Sequence, residues 1–218
     1  MSDIFREIDE EIRRDNLGQL WTKYGHYVIV VAVAVVLGTG GYVGWQKYQD
    51  SKVSAQSVRF SAGLELADKG EFAQAADTFT ALAKEGGGGH ALLARFEAAG
   101  LRARAGDAKA GIAAFKEIAA DNAVDGVYRD IAKLLAASWE IDHGDAAGVA
   151  AELAAFAAPT NPWHALAQEL TASAQLKAGD KAAALESYKH LADDAAAPQE
   201  TRNRAAEIVS ALGNTEHK

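Results

Sequence analysis

The 218-residue sequence predicts an all-α protein: an N-terminal transmembrane helix, an α-solenoid of about four helix pairs and a C-terminal capping helix. Three observations predict it. Residues 24–46 carry no Lys, Arg, Asp or Glu; glycines followed by an acid recur every 35 to 38 residues beyond them; and alanine is abundant beside only three prolines. Alanine has the highest helix propensity and proline the lowest, so the composition favours helix throughout.

The first 23 residues form a polar arm with four basic and six acidic side chains. As a helix, residues 24–46 would be about 34 Å long, against a hydrocarbon core of about 30 Å. Trp21, Tyr24 and Tyr27 flank one end and Tyr42, Trp45 and Tyr48 the other, as in an interfacial aromatic belt. Val28 to Val36 is rich in β-branched residues, but no comparable run offers a strand partner, and in lipid a helix satisfies its own backbone. The run exceeds the apolar region of a signal peptide and follows an acidic arm, which points to an uncleaved signal anchor. Four basic residues before it and three after leave its orientation nearly undecided by charge. Gly40 and Gly44 make a small-xxx-small pair for transmembrane packing, although glycine is common in membrane helices anyway. Residues 47–52 read as a linker.

Residues 53–212 carry the period. The turn glycines are Gly70, Gly106, Gly144 and Gly179. Nine residues after each stands Phe79, Phe115, Leu153 or Tyr188; twelve after, Leu82, Ile118, Phe156 or Leu191; thirteen after, always alanine. Seven before each the residue is small: Gly63, Ala99, Ala137, Ala172. These offsets place large side chains along one side of a helix that starts after the glycine, while the small residues admit close approach of the preceding helix. Glycine ends that preceding helix in a left-handed conformation, and the acid beside it favours the next helix's N-terminus. The unit is a helix–turn–helix, and with the small residues Ala75, Gly111 and Ala184 five after the glycine it resembles the tetratricopeptide repeat. Val149 departs from that rule in the third unit. Gln199 to Leu212 reads as the capping helix and residues 213–218 as a disordered tail.

No chemistry-bearing constellation accompanies the repeats. There is no cysteine, hence no thiolate nucleophile, disulfide or Cys-type zinc site. The six histidines form no helical metal pair. Gly86 to Gly89 lacks the Lys-Ser/Thr of a phosphate loop and follows no strand. An enzyme, a cofactor and a small-molecule substrate are not expected. A net charge of −8 without a basic stripe argues against nucleic acid. Tetratricopeptide arrays bind through the concave face of their first helices. The Lys/Asn clamp for a partner's C-terminal carboxylate is missing: Phe60, Phe96, Leu134 and Glu169 occupy one set of its positions and Leu64, Gly100, Ser138 and Ser173 the other. Arg95 and Arg102 share a helix face and read either as groove contacts for an acidic partner or as a solvated basic face.

An acidic arm, an apolar helix ending in Gly44-Trp45-Gln46-Lys47-Tyr48 and directly following repeats resemble the YfgM type of ancillary subunit of the bacterial Sec translocon. The resemblance implies a single-pass inner-membrane protein with a cytoplasmic N-terminus and a periplasmic repeat domain. It implies association with the SecY–SecE–SecG channel and a PpiD-type membrane chaperone, linking translocation to periplasmic folding factors. The alternatives are a scaffold for an envelope or cell-division complex and a cytosol-facing tetratricopeptide adaptor.

Overall fold

The computed structural model describes the backbone of residues 3–85 and 88–213; within the first helix, the side chains of residues 3–22, 24–32, 49, 50 and 52 lie outside the described residues. The helices are α1 (Asp3–Asp68), α2 (Phe72–Glu85), α3 (Gly88–Arg104), α4 (Ala108–Ala120), α5 (Gly126–His143), α6 (Ala146–Leu153), α7 (His164–Lys177), α8 (Lys181–Asp193) and α9 (Gln199–Gly213), with a 3-10 turn at Ala154–Phe156. The chain divides into two compact units, Met1–Ala55 and Gln56–Lys218.

The first unit is the N-terminal part of α1. From Val33 to Tyr48 every residue is exposed, and Thr39 Oγ1 donates to the Val35 carbonyl at 2.6 Å. Nothing lies within 4 Å of where a Cβ would stand on Gly40 or Gly44, so the expected packing pair meets no neighbour among the described residues. The expectation of a transmembrane helix is corrected here: among the described residues, no helix is long and apolar enough to cross a membrane. The side chains of residues 24–32 lie outside the described residues. The described remainder, residues 33–46, spans only about 21 Å as helix, and Gly38, Thr39, Gly40, Gly41 and Gly44 dilute its apolar content. The signal anchor and the single-pass inner-membrane placement, cytoplasmic N-terminus and periplasmic domain included, rested on that span and are corrected with it. Residues 47–52 continue the helix where a linker was expected, since they contain neither Gly nor Pro to break it. Of the terminal segments, the arm's side chains (Lys23 apart) and residues 214–218 lie outside the described residues.

The second unit stacks helix pairs: the end of α1 with α2, α3 with α4, α5 with α6, α7 with α8, and α9 closing the last pair. The pattern positions are its core. Phe79, Phe115, Leu153 and Tyr188 are at most 2% exposed, as are Leu82, Ile118, Phe156 and Leu191. The small residues facing them are buried too, and one apolar cluster forms for each pair. Such a core grows by nearest-neighbour stacking rather than around one centre.

Three turns share one geometry. Gly70, Gly106 and Gly179 have φ of +79°, +98° and +89°. In each, the glycine N–H donates to a carbonyl three residues back and the next N–H to one five back, as from Asp107 to Arg102 at 3.1 Å. This pairing satisfies carbonyls left open by the ended helix. Asp107 and Asp180 then cap α4 and α8 through Oδ1, each accepting from a backbone N–H at 3.0 Å. Gly144 differs, with φ −135°, and nothing in the structure explains it. Gly106→Ala forces a Cβ into the left-handed region and is expected to lower stability by about 1 kcal/mol, measured by urea unfolding.

The third pair is irregular. Its second helix, α6, has eight residues, against 13 in α4 and α8. Pro159 and Pro162 follow, and a proline disfavours helix at the residue before it.

Candidate protein-binding surface

The first helix of the second pair, α3, packs on two flanks and leaves two faces for other work. On α3, Ala94, Ala98 and Leu101 belong to the α2 cluster, whereas Leu92, Phe96 and Ala99 belong to the α4 cluster. At about 100° per residue, Leu93, Glu97, Gly100 and Arg104 then point one way and Arg95 and Arg102 the opposite way.

The first of these faces carries apolar side chains left in water. Leu64, Leu93, Leu135 and Leu166 are 41%, 51%, 36% and 41% exposed, one on the first helix of every pair. Val127 and Tyr128 at the start of α5 add to them. Polar links from α5 to α7 and from α7 to α9 flank this stripe: Lys177 Nζ to Asp142 at 3.2 Å, and Arg204 to both Glu169 oxygens at 2.9 and 3.0 Å. Of the clamp positions, Phe96 packs against the α4 cluster, Leu134 is buried and Glu169 is spent on Arg204.

The opposite face looks into clefts between successive second helices, floored by the first helix between them. The cleft of α2, α3 and α4 is about 270 Å³, that of α4, α5 and α6 about 360 Å³, and that of α6, α7 and α8 about 820 Å³. The invariant alanines thirteen after the turn glycine line them, as Ala83, Ala119 and Ala157, rather than joining the core fully. The third cleft is the largest because α6 stops short.

Arg95 and Arg102 both line the first cleft, so the structure brings them together, but away from the leucine face. Arg95 Nη1 donates to Asp121 Oδ2 at 2.7 Å. That bond, with one from the Ala123 N–H, holds the Asp121 carboxyl below its ordinary pKa. Arg59 pairs with Glu85 in the equivalent register one unit earlier. Arg102 Nη2 donates to Thr80 Oγ1 at 3.2 Å. In the second cleft Lys116 bridges Glu140 at 2.7 Å and Glu152 at 3.0 Å, which raises its pKa, the hydrogen bond it donates to Glu140 contributing most. The leucine stripe was missed from sequence, although a hydrophobic residue at an outward position of every first helix was the signal that would have found it.

No group of three or more His, Cys, Asp or Glu among the described residues could hold a metal ion. No curated protein and no solved structure matches the chain. The expected identity as a Sec translocon subunit, with SecY–SecE–SecG and PpiD-type partners, is therefore corrected: only its repeat architecture finds a counterpart, and the anchor on which the rest depended is not among the described helices. The pattern of small residue, turn glycine and large apolar residue, buried as found here, has its match in the tetratricopeptide repeat-like domain model over residues 19–210, and the chain belongs to that family.

Proposed function

We propose that the protein is a non-catalytic scaffold that holds a segment of a partner protein along the outward face of its first helices. The observation that carries this reading is the exposed leucine on the first helix of each pair, Leu64, Leu93, Leu135 and Leu166. Stacked units align such residues into an extended apolar surface, and contiguous exposed apolar patches mark sites of protein association. The function is that of the scaffold or adaptor alternatives rather than of a translocation factor. A photo-crosslinking residue at position 93 or 135 is expected to capture a partner in cells that the same residue at Ala113, exposed on α4, does not. With that partner purified, the triple change Leu93→Ser, Leu135→Ser, Leu166→Ser should weaken binding about a hundredfold, at roughly 1 kcal/mol per leucine. Equal capture from position 113, or unchanged affinity of the triple variant, would overturn the reading.

A further inference from the structure

We propose that the cleft between α2 and α4 is a second binding site, which takes the carboxylate of an Asp or Glu side chain of a partner polypeptide on the Arg102 guanidinium. Arg102 is half-buried, donates to the neutral Thr80 hydroxyl and meets no carboxylate among the described residues. The next unit shows what its register does when complete. There Glu140 stands where Arg102 does, four before the turn glycine, and Lys116 stands where Thr80 does; the two form an ion pair at 2.7 Å. In the first cleft the same register holds a cation with no anion opposite it.

The surroundings favour an acidic guest. Lys84 is exposed and lines the cleft, Arg95 is occupied by Asp121, and Glu117 is the only carboxylate lining it among the described residues. Three cations thus face two acids, in a chain whose net charge is −8. A planar guanidinium with several free N–H groups suits a carboxylate, and partial burial strengthens the pair. Ala83, Ala98 and Ile118 give the cleft an apolar lining, and its volume of about 270 Å³ leaves room for the methylenes of a glutamate and part of a neighbouring residue. The site lies on the side of α3 opposite the leucine face, so it stands or falls independently of the function proposed above.

The test uses the full chain and a fluorescein-labelled twelve-residue peptide of alternating Glu and Leu, beside a copy with every Glu replaced by Gln. Fluorescence anisotropy at low salt should show the Glu peptide binding at least tenfold more tightly than the Gln peptide. Arg102→Met, which keeps the methylene stem, should remove that preference. Lys84→Gln, at an exposed position where folding is not at risk, should weaken binding about threefold and reduce its salt dependence. Leu135→Ser should leave Glu-peptide affinity unchanged. The proposal is overturned by equal affinity for both peptides, by no binding of the Glu peptide, by full affinity in Arg102→Met, or by a loss in Leu135→Ser matching that in Arg102→Met. The last result would place the peptide on the leucine face and so support the first site alone.

Discussion

Phe79→Ala is expected to lower stability by about 4 kcal/mol, because the ring is fully enclosed by the first pair. It is 0% exposed, packs edge-on against Phe60 with ring centroids 4.9 Å apart, and lies directly beneath Gly63. A Cβ on Gly63 would stand 2.8 Å from Phe79 Cε2 and Cζ, well inside contact distance. That proximity makes the effect of Gly63→Ala depend on what stands at 79. In the native background the methyl overpacks the ring, typically at 1–3 kcal/mol, which exceeds the roughly 1 kcal/mol gained in helix propensity. In the Phe79→Ala background the methyl enters vacated space, and the same change should stabilise. The cycle is read by urea unfolding followed by helical circular dichroism. A coupling near zero would mean that ring and glycine do not touch. Hydrogen exchange should locate the loss in α2 and the end of α1, since stacked units lose stability locally before they lose it together.

The same contact shows why so much of the second unit was legible in the sequence. A small residue seven before the turn glycine and a large one nine after meet across a single hairpin, so the information is local. Gly63 with Phe79, Ala99 with Phe115 and Ala172 with Tyr188 share one cluster each or touch directly. Properties that depend on azimuth between units were not legible in this way. Arg95 and Arg102 share a helix face, as their spacing of seven requires, but which face depends on where α2 and α4 lie. Of the alanines thirteen after each glycine, Ala83, Ala119 and Ala157 line clefts, because second helices of successive units do not close on one another, whereas Ala192 packs against the last core cluster. Gly144 carries the same residue type as the other turn glycines yet adopts an extended backbone, which its neighbours in sequence did not announce. The stretch over residues 24–46 differs in another way: of its side chains only those of residues 33–46 are described, five of them glycine or threonine, and no described helix is long and apolar enough to cross a membrane.

Gly111→Ala should lower stability by about 2 kcal/mol, although it replaces glycine by the best helix former inside a helix. The reason is the nature of the neighbours. A Cβ at 111 would lie 2.7 Å from Ala103 Cβ, 2.7 Å from the Ala99 carbonyl oxygen and 3.0 Å from the Ala103 amide nitrogen. At Gly63 the obstructing atoms belong to a ring that can tilt; at Gly111 they are α3 backbone and a Cβ fixed to it. Relief requires α3 and α4 to move apart, which loosens Phe115 and Ile118 in the cluster between them. Ala103→Gly should therefore rescue less than half of the loss, because the Ala99 oxygen remains in place. Ala184 occupies the same register in the fourth pair and Val149 in the third, both at most 1% exposed, so the spacing of those pairs accommodates a side chain that this one does not. If urea unfolding instead shows Gly111→Ala stabilised by about 1 kcal/mol, as propensity alone dictates, then α3 and α4 do not approach as closely as described. The floor of the Arg102 cleft, built on that approach, would have to be redrawn with them.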